Sequence, residues 1–126
     1  GLSIRILSNK PGIHSARWVR GTDYPEVFKI IKNKIEEKGK SMNGQSAYFN
    51  CSLAFIDCSM NTNIFEGKLE GQLTFPARGI NGFGYDPIFI PYGKKKTLAE
   101  LGKKEKNKLS HRKIAINQLI EFLFEK

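Results

Sequence analysis

The sequence is poor in cysteine, with only Cys51 and Cys58 among its 126 residues. Two thiols in a domain of this size make no disulfide framework, and no Cys/His spacing suggests zinc. A reducing, cytoplasmic setting is therefore expected. No apolar run approaches the ~18 residues of a membrane span, and no signal-peptide pattern opens the chain, so no membrane partner is expected. Internal repeats, low-complexity tracts and a dividing linker are all missing, and residues 1–126 read as a single domain. Acidic residues are also scarce: twelve Asp and Glu stand against 21 Lys and Arg, a formal net charge of +9. Such an excess favours polyanionic partners (nucleic acid, anionic membrane or phosphorylated small molecules) and suits a solvated lysine-rich surface equally well. A hard cation would need converging carboxylates. Glu36 and Glu37 point in different directions on a helix, and Glu66 and Glu70 lie on the wet face of a strand. No metal site is expected among these residues.

What is present suits a globular domain: 40% of residues are hydrophobic and 26% charged, enough for a core without disulfides or metals. Thr22–Lys38 reads as a helix. Asp23 and Glu26 have capping-box spacing, Pro25 is tolerated in a first turn, and Gly39 can stop the helix. Its apolar stripe is expected at Val27, Ile30, Ile31 and Ile35. Ala47–Cys58 reads as a strand with Ala47, Phe49, Cys51, Leu53 and Phe55 on one face. A turn at Asn61–Asn63 leads to a second strand, Phe65–Phe75. Its alternation puts Glu66, Lys68, Glu70, Gln72 and Thr74 on a wet face, and predicts an antiparallel pair. Gly67 and Gly71 fall on the apolar side, where another element can approach closely. Ile88–Ile90 reads as a short strand, Tyr92–Lys96 as a basic turn, and Thr97 with Glu100 as a second capping box. Ser110–Phe124 reads as the last helix, with a core stripe of Ile116, Leu119, Ile120 and Leu123. The mixture makes an α/β or α+β domain.

Two clusters carry candidate chemistry. The loop Pro76–Pro87 holds glycines at 79, 82 and 84 in G-x-x-G-x-G order, which is neither the dinucleotide fingerprint nor a Walker A loop. It fits a tight turn between strands, or a loop whose backbone admits a ligand. Phe83 and Tyr85 bracket Gly84, and either offers a flat base a stacking partner. Asp86, extended before Pro87, can accept hydrogen bonds from base or ribose. The second cluster is Lys106, His111 and Arg112, the last two in a helix first turn. Cations there oppose the helix dipole, so either they form a solvated basic turn or an anion or carbonyl group is their partner. Arg17 can reach a phosphate, but Trp18 as core beside an Arg17 salt bridge is the simpler reading. His14 and the lysines at 94–96, 103, 104 and 108 read as solvated surface.

In order along the chain stand PGIHSARW (Pro11–Trp18), AYFNCSLAF (Ala47–Phe55), FEGKLEGQL (Phe65–Leu73), PARGINGFGYDPIFIP (Pro76–Pro91), TLAEL (Thr97–Leu101) and EKNKLSHRKIA (Glu105–Ala115). These segments resemble the inosine triphosphate pyrophosphatase family, also called dITP/XTP pyrophosphatases, and most specifically the GFGYDP block and the K-x-x-x-x-H-R spacing. His14 and Arg20 depart from the family pattern. The resemblance implies a mixed α/β fold, a curved sheet flanked by helices, and usually a homodimer. It implies hydrolysis of non-standard purine nucleoside triphosphates (ITP, dITP, XTP) to the monophosphate and pyrophosphate, with Mg2+. Substrate contacts would fall on Phe83, Gly84, Tyr85, Asp86, Lys106, His111 and Arg112. The family's catalytic base and metal ligands would lie upstream of Gly1, so no catalytic residue is expected within the chain. The isolated chain is then expected to be an inactive C-terminal portion, needing an N-terminal fragment in trans. A module that binds nucleotides without hydrolysis is the alternative; a basic nucleic-acid-binding domain is the least expected.

Overall fold

The computed structural model describes residues 1–15, 17–19 and 23–124. Thr22 and Arg20 lie outside these residues. The elements run β1 (Leu2–Ile4), β2 (Lys10–Pro11), α1 (Tyr24–Glu36), β3 (Ser46–Ile56), β4 (Thr62–Leu73), β5 (Phe89–Pro91), α2 (Lys103–Leu109) and α3 (His111–Phe124). The five strands form one sheet in the order β2-β1-β3-β4-β5. Every neighbouring pair is antiparallel, with Leu2 opposite Phe49, Phe49 opposite Leu69, and Gly71 opposite Pro91.

The long β3–β4 pair follows the two-residue alternation closely. Both strands start earlier than the sequence suggested, at Ser46 and Thr62, and stop at Ile56 and Leu73. The turn lies at 57–61 rather than 61–63 because Asp57 caps it: its carboxylate accepts from the Ser59 and Asn61 amides, each at 2.9 Å. Glu66, Lys68, Glu70 and Gln72 are exposed as expected. On this wet face Arg5 donates to both Glu70 oxygens, at 2.8 and 2.7 Å.

Helix α1 starts where its cap permits. The Asp23 carboxylate accepts from the Glu26 amide at 2.9 Å, and Gly39 N–H closes the far end on the Glu36 carbonyl. Its buried residues are Val27, Phe28, Ile31 and Ile35. Ile30, expected in the stripe, is 38% exposed, because at ~100° per residue it lies on the far side of Val27 from Phe28 and Ile35. These residues join Leu2, Ile4, Leu73, Ile88 and Phe89 in one core. Complete burial of such a side chain stabilises by roughly 1.5–3 kcal/mol.

The C-terminal third departs most from the sequence reading. The Thr97–Glu100 box forms reciprocally, with Thr97 N to Glu100 Oε1 at 2.9 Å and Glu100 N to Thr97 Oγ1 at 3.2 Å, yet it closes only a single turn, and α2 starts separately at Lys103. Helix α2 was not foreseen, since its KKEKNKL sequence has no apolar stripe. Helix α3 turns a partly different face inward: Leu119 is half-buried as expected, but its companions are Ala115, which is buried, and Phe122, which is half-buried. Ile116, Ile120 and Leu123, expected in the core, are 45, 46 and 43% exposed. Apolar residues surround α3, so periodicity does not choose a face; Gly67 does. A Cβ on Gly67 would run into the His111 carbonyl and the Ala115 amide, so the helix backbone rests directly on β4. Among the described residues no helix is long and apolar enough to cross a membrane.

Candidate functional site

The glycine loop joins β4 to β5, and backbone bonds fix it against the turn at 97–101. Arg78 N–H donates to the Pro87 carbonyl at 2.9 Å, and Asn81 N–H to the Ala99 carbonyl at 2.9 Å. The Thr97 hydroxyl donates to the Arg78 carbonyl at 2.7 Å. Gly82 has φ +78, and a Cβ there would overlap the Asp86 carboxylate and the Lys106 ammonium. Only a residue without a side chain lets the loop fold back this tightly.

That return places Asp86 inside the loop, 6% exposed. Its Oδ2 accepts from the Phe83 amide at 3.0 Å and from Lys106 Nζ. The carboxylate expected to face a base or ribose is therefore engaged in shaping the loop. Phe83 is thrown outward, 65% exposed, with Lys106 Nζ 4.4 Å and Arg112 Cζ 5.7 Å from its ring centroid. Tyr85 takes the opposite course and is 5% exposed. It meets Tyr24 edge-on at 5.2 Å and 87°, and its hydroxyl donates to the Ser15 carbonyl at 2.7 Å. Burial pushes its phenol up from the ordinary value. Of the two candidate stacking rings, Phe83 alone presents a free surface.

Lys106 comes from α2, and the chain leaves helical geometry at Ser110 before α3 begins. The break aims His111 and Arg112 at the loop. The His111 ring stacks on Phe49, with centroids 5.2 Å apart and planes 14° apart. Burial first, then the positive charges of the Gly1 amino group, Arg112 and Lys106, hold its imidazole down at about 4. At neutral pH it is uncharged, so one ring nitrogen can donate a hydrogen bond and the other can accept one.

Phe83, Gly84, Tyr85, Asp86, Lys106, His111 and Arg112 all line one cavity of about 420 Å³. Loop and helix residues far apart in sequence thus converge. Sequence reading missed the opposite wall, formed by Gly12, Ile13 and Ser15, and the floor, formed by Phe49 and Leu69. Ser15 had a signal in the SAR segment: its hydroxyl accepts from the Leu2 amide at 2.9 Å and donates to the Gly12 carbonyl at 2.6 Å. Phe49 gave none, since a strand's inward phenylalanine reads as core. Trp18 is half-buried against the core, while Arg17 is exposed with no ion pair among the described residues. His14 and the lysines at 94–96, 103, 104 and 108 are exposed.

The described residues do not fit magnesium. No three of their His, Cys, Asp and Glu side chains stand close enough to hold a metal, and the carboxylate in the cavity is paired with Lys106.

The sequence matches the profile of the Ham1 family over residues 1–122. It is 41% identical to a dITP/XTP pyrophosphatase of Bacillus licheniformis, over 98% of this chain and 62% of that protein. It is 43% identical to a dITP/XTP pyrophosphatase of Bacillus subtilis, over the same shares. Among solved structures, a HAM1 protein from Coxiella burnetii superposes with a TM-score of 0.88 at 36% identity, covering all of this chain and 64% of that one. The chain thus spans somewhat less than two thirds of these relatives' length. The expectation of an inactive remnant gains no support from relatives that match across nearly the whole chain.

Proposed function

The chain belongs to the Ham1 family, and from that premise we propose that it forms the base-recognising part of a hydrolase acting on non-standard purine nucleoside triphosphates. The reaction would convert ITP, dITP or XTP to the monophosphate and pyrophosphate, clearing such nucleotides from the pool. The observation that carries this reading is the convergence of an exposed ring, Phe83, two cations, Lys106 and Arg112, and an uncharged imidazole, His111, on one cavity. A purine stacked on Phe83 brings its edge to these donors. Hypoxanthine and xanthine present a 6-keto acceptor there; adenine presents an amino donor, which the Lys and Arg donors cannot pair with. Magnesium, a homodimer and a cytoplasmic setting belong to the same proposal and rest on the family resemblance. The carboxylates to hold the metal would come from outside the described residues.

Calorimetry with ITP, XTP and ATP tests the recognition. The 6-keto nucleotides should bind at least about tenfold more tightly than ATP, a difference of about 1.4 kcal/mol. Equal affinities would remove the base-recognition reading. Product analysis with ITP and magnesium tests the chemistry: pyrophosphate is expected, and orthophosphate as the first product would contradict it.

A further inference from the structure

Two hollows share one stretch of chain. Gly12, Ile13 and Ser15 wall the cavity described above. Lys10 and Trp18, just before and just after them, line a second cleft of about 390 Å³. Ser8 joins them there, with Lys34, Glu37 and Lys38 from the C-terminal end of α1 and just beyond it. No residue lines both hollows.

The second cleft is positive. Lys10, Lys34 and Lys38 share it with one carboxylate, Glu37, and none of the four has an ion-pair partner among the described residues. Three positive charges against one negative leave a surplus of two. The dipole of α1 favours Lys34 and Lys38, which stand at its C-terminal end. It does not account for Lys10, which β2 brings to the same cleft. Like charges four residues apart, as at 34 and 38, also repel.

Trp18 narrows the choice of anion. Lys34 Nζ lies 5.8 Å from its ring centroid, over the face of the indole. A cation already covers that face, so it offers no stacking surface to a base. The Ser8 hydroxyl adds a neutral donor. A phosphate group suits such a cleft, since it brings close to two negative charges and several acceptor oxygens near neutrality. Lysine binds phosphate as a point charge.

We propose that this cleft is a second anion site, which takes a small phosphate (orthophosphate or pyrophosphate) through Lys10, Lys34 and Lys38. The site is separate from the cavity and does not depend on the purine reading. A bound anion would tie Lys10 to the end of α1, next to the stretch that walls the cavity.

The chain's single tryptophan, Trp18, stands in the cleft and reports on it. Orthophosphate and pyrophosphate are titrated separately at constant ionic strength, with sodium chloride as the control, while Trp18 emission and heat are followed. A saturable emission change is expected with at least one of the two phosphates and not with chloride. Lys10→Gln and Lys38→Gln, which leave Lys34 over Trp18, should each weaken binding roughly threefold to fivefold, the scale of an exposed charge pair. Glu37→Gln should tighten it by a similar factor, an effect that a merely structural glutamate would not give. Arg112→Gln should leave the Trp18 titration unchanged, because Arg112 lines the other cavity. Loss of the signal in Arg112→Gln would move the anion to that cavity and overturn the proposal. So would a phosphate affinity indifferent to the charge at 10, 37 and 38, or the absence of both an emission change and a saturable heat. An emission change with a single-stranded oligonucleotide and with neither phosphate would overturn it too, and make the cleft part of a nucleic-acid surface.

Discussion

Acidification should weaken the fold through His111, and the size of the effect follows from its surroundings. An imidazole titrates near 6.5 in the unfolded chain and at about 4 in the fold. Its folded value is depressed, so its stabilisation is complete above the unfolded value and is lost as pH falls below 6.5 toward 4. Between these values the unfolded chain holds the extra proton, and unfolding becomes easier as pH drops. Glu70 lies below its ordinary 4.5 because Arg5 bonds to it, so its contribution is lost at still lower pH. Stopping at about pH 5 isolates the histidine. From 6.5 to 5 is ~1.5 units, and at ~1.36 kcal/mol per unit this gives a ceiling of about 2 kcal/mol. Partial contact with water reduces it to about 1 kcal/mol.

Urea unfolding at about pH 7.5 and pH 5 measures the loss. His111→Phe keeps the stacking on Phe49 and removes the titration, and should cancel about 1 kcal/mol of the pH dependence. The slope that remains belongs to other groups. An NMR titration of His111 should find its midpoint well below 6. A midpoint near 6.5, or an unchanged slope in His111→Phe, would refute the reasoning and with it the depressed titration of the imidazole at the site.

Three further outcomes follow. Arg112→Ala should weaken inosine triphosphate binding by roughly 1–3 kcal/mol, the scale of a charge-assisted hydrogen bond; an unchanged Kd by calorimetry on the folded variant removes Arg112 from the site. Phe83→Ala should cost about 1–3 kcal/mol of nucleotide affinity and leave pyrophosphate affinity nearly untouched, whereas parallel losses would mean that the loop had collapsed. Gly67→Ala should destabilise the fold by roughly 1–3 kcal/mol or more, because the added methyl meets backbone; a denaturation midpoint equal to the parent's would show that α3 does not rest on β4 at this point.

The sequence by itself determined those features whose signal is local. The alternation of Phe65, Leu69 and Leu73 against Glu66, Lys68 and Glu70 specified a strand and its wet face, because side chains two apart share a side. Asp23 with Glu26 set the start of α1, since a cap needs only its own first turn. GFGYDP and K-x-x-x-x-H-R marked seven of the residues that line the cavity, because resemblance attaches to positions in the chain. The face of α3 was beyond local reach: Ile116, Ile120 and Leu123 form as good a stripe as Ala115, Leu119 and Phe122, and a gap at Gly67, some fifty residues earlier, selects between them. Phe83 and Tyr85, two residues apart and alike in chemistry, could not be told apart until Asp86 turned back on the Phe83 amide and Tyr24 closed over Tyr85. The protonation of His111 was equally hidden, since it depends on its burial beside Phe49 and on the charge of Lys106 as well as that of the adjacent Arg112. Burial and electric field sum over neighbours in space, so the tertiary structure alone decided which ring is free and that His111 resists a proton.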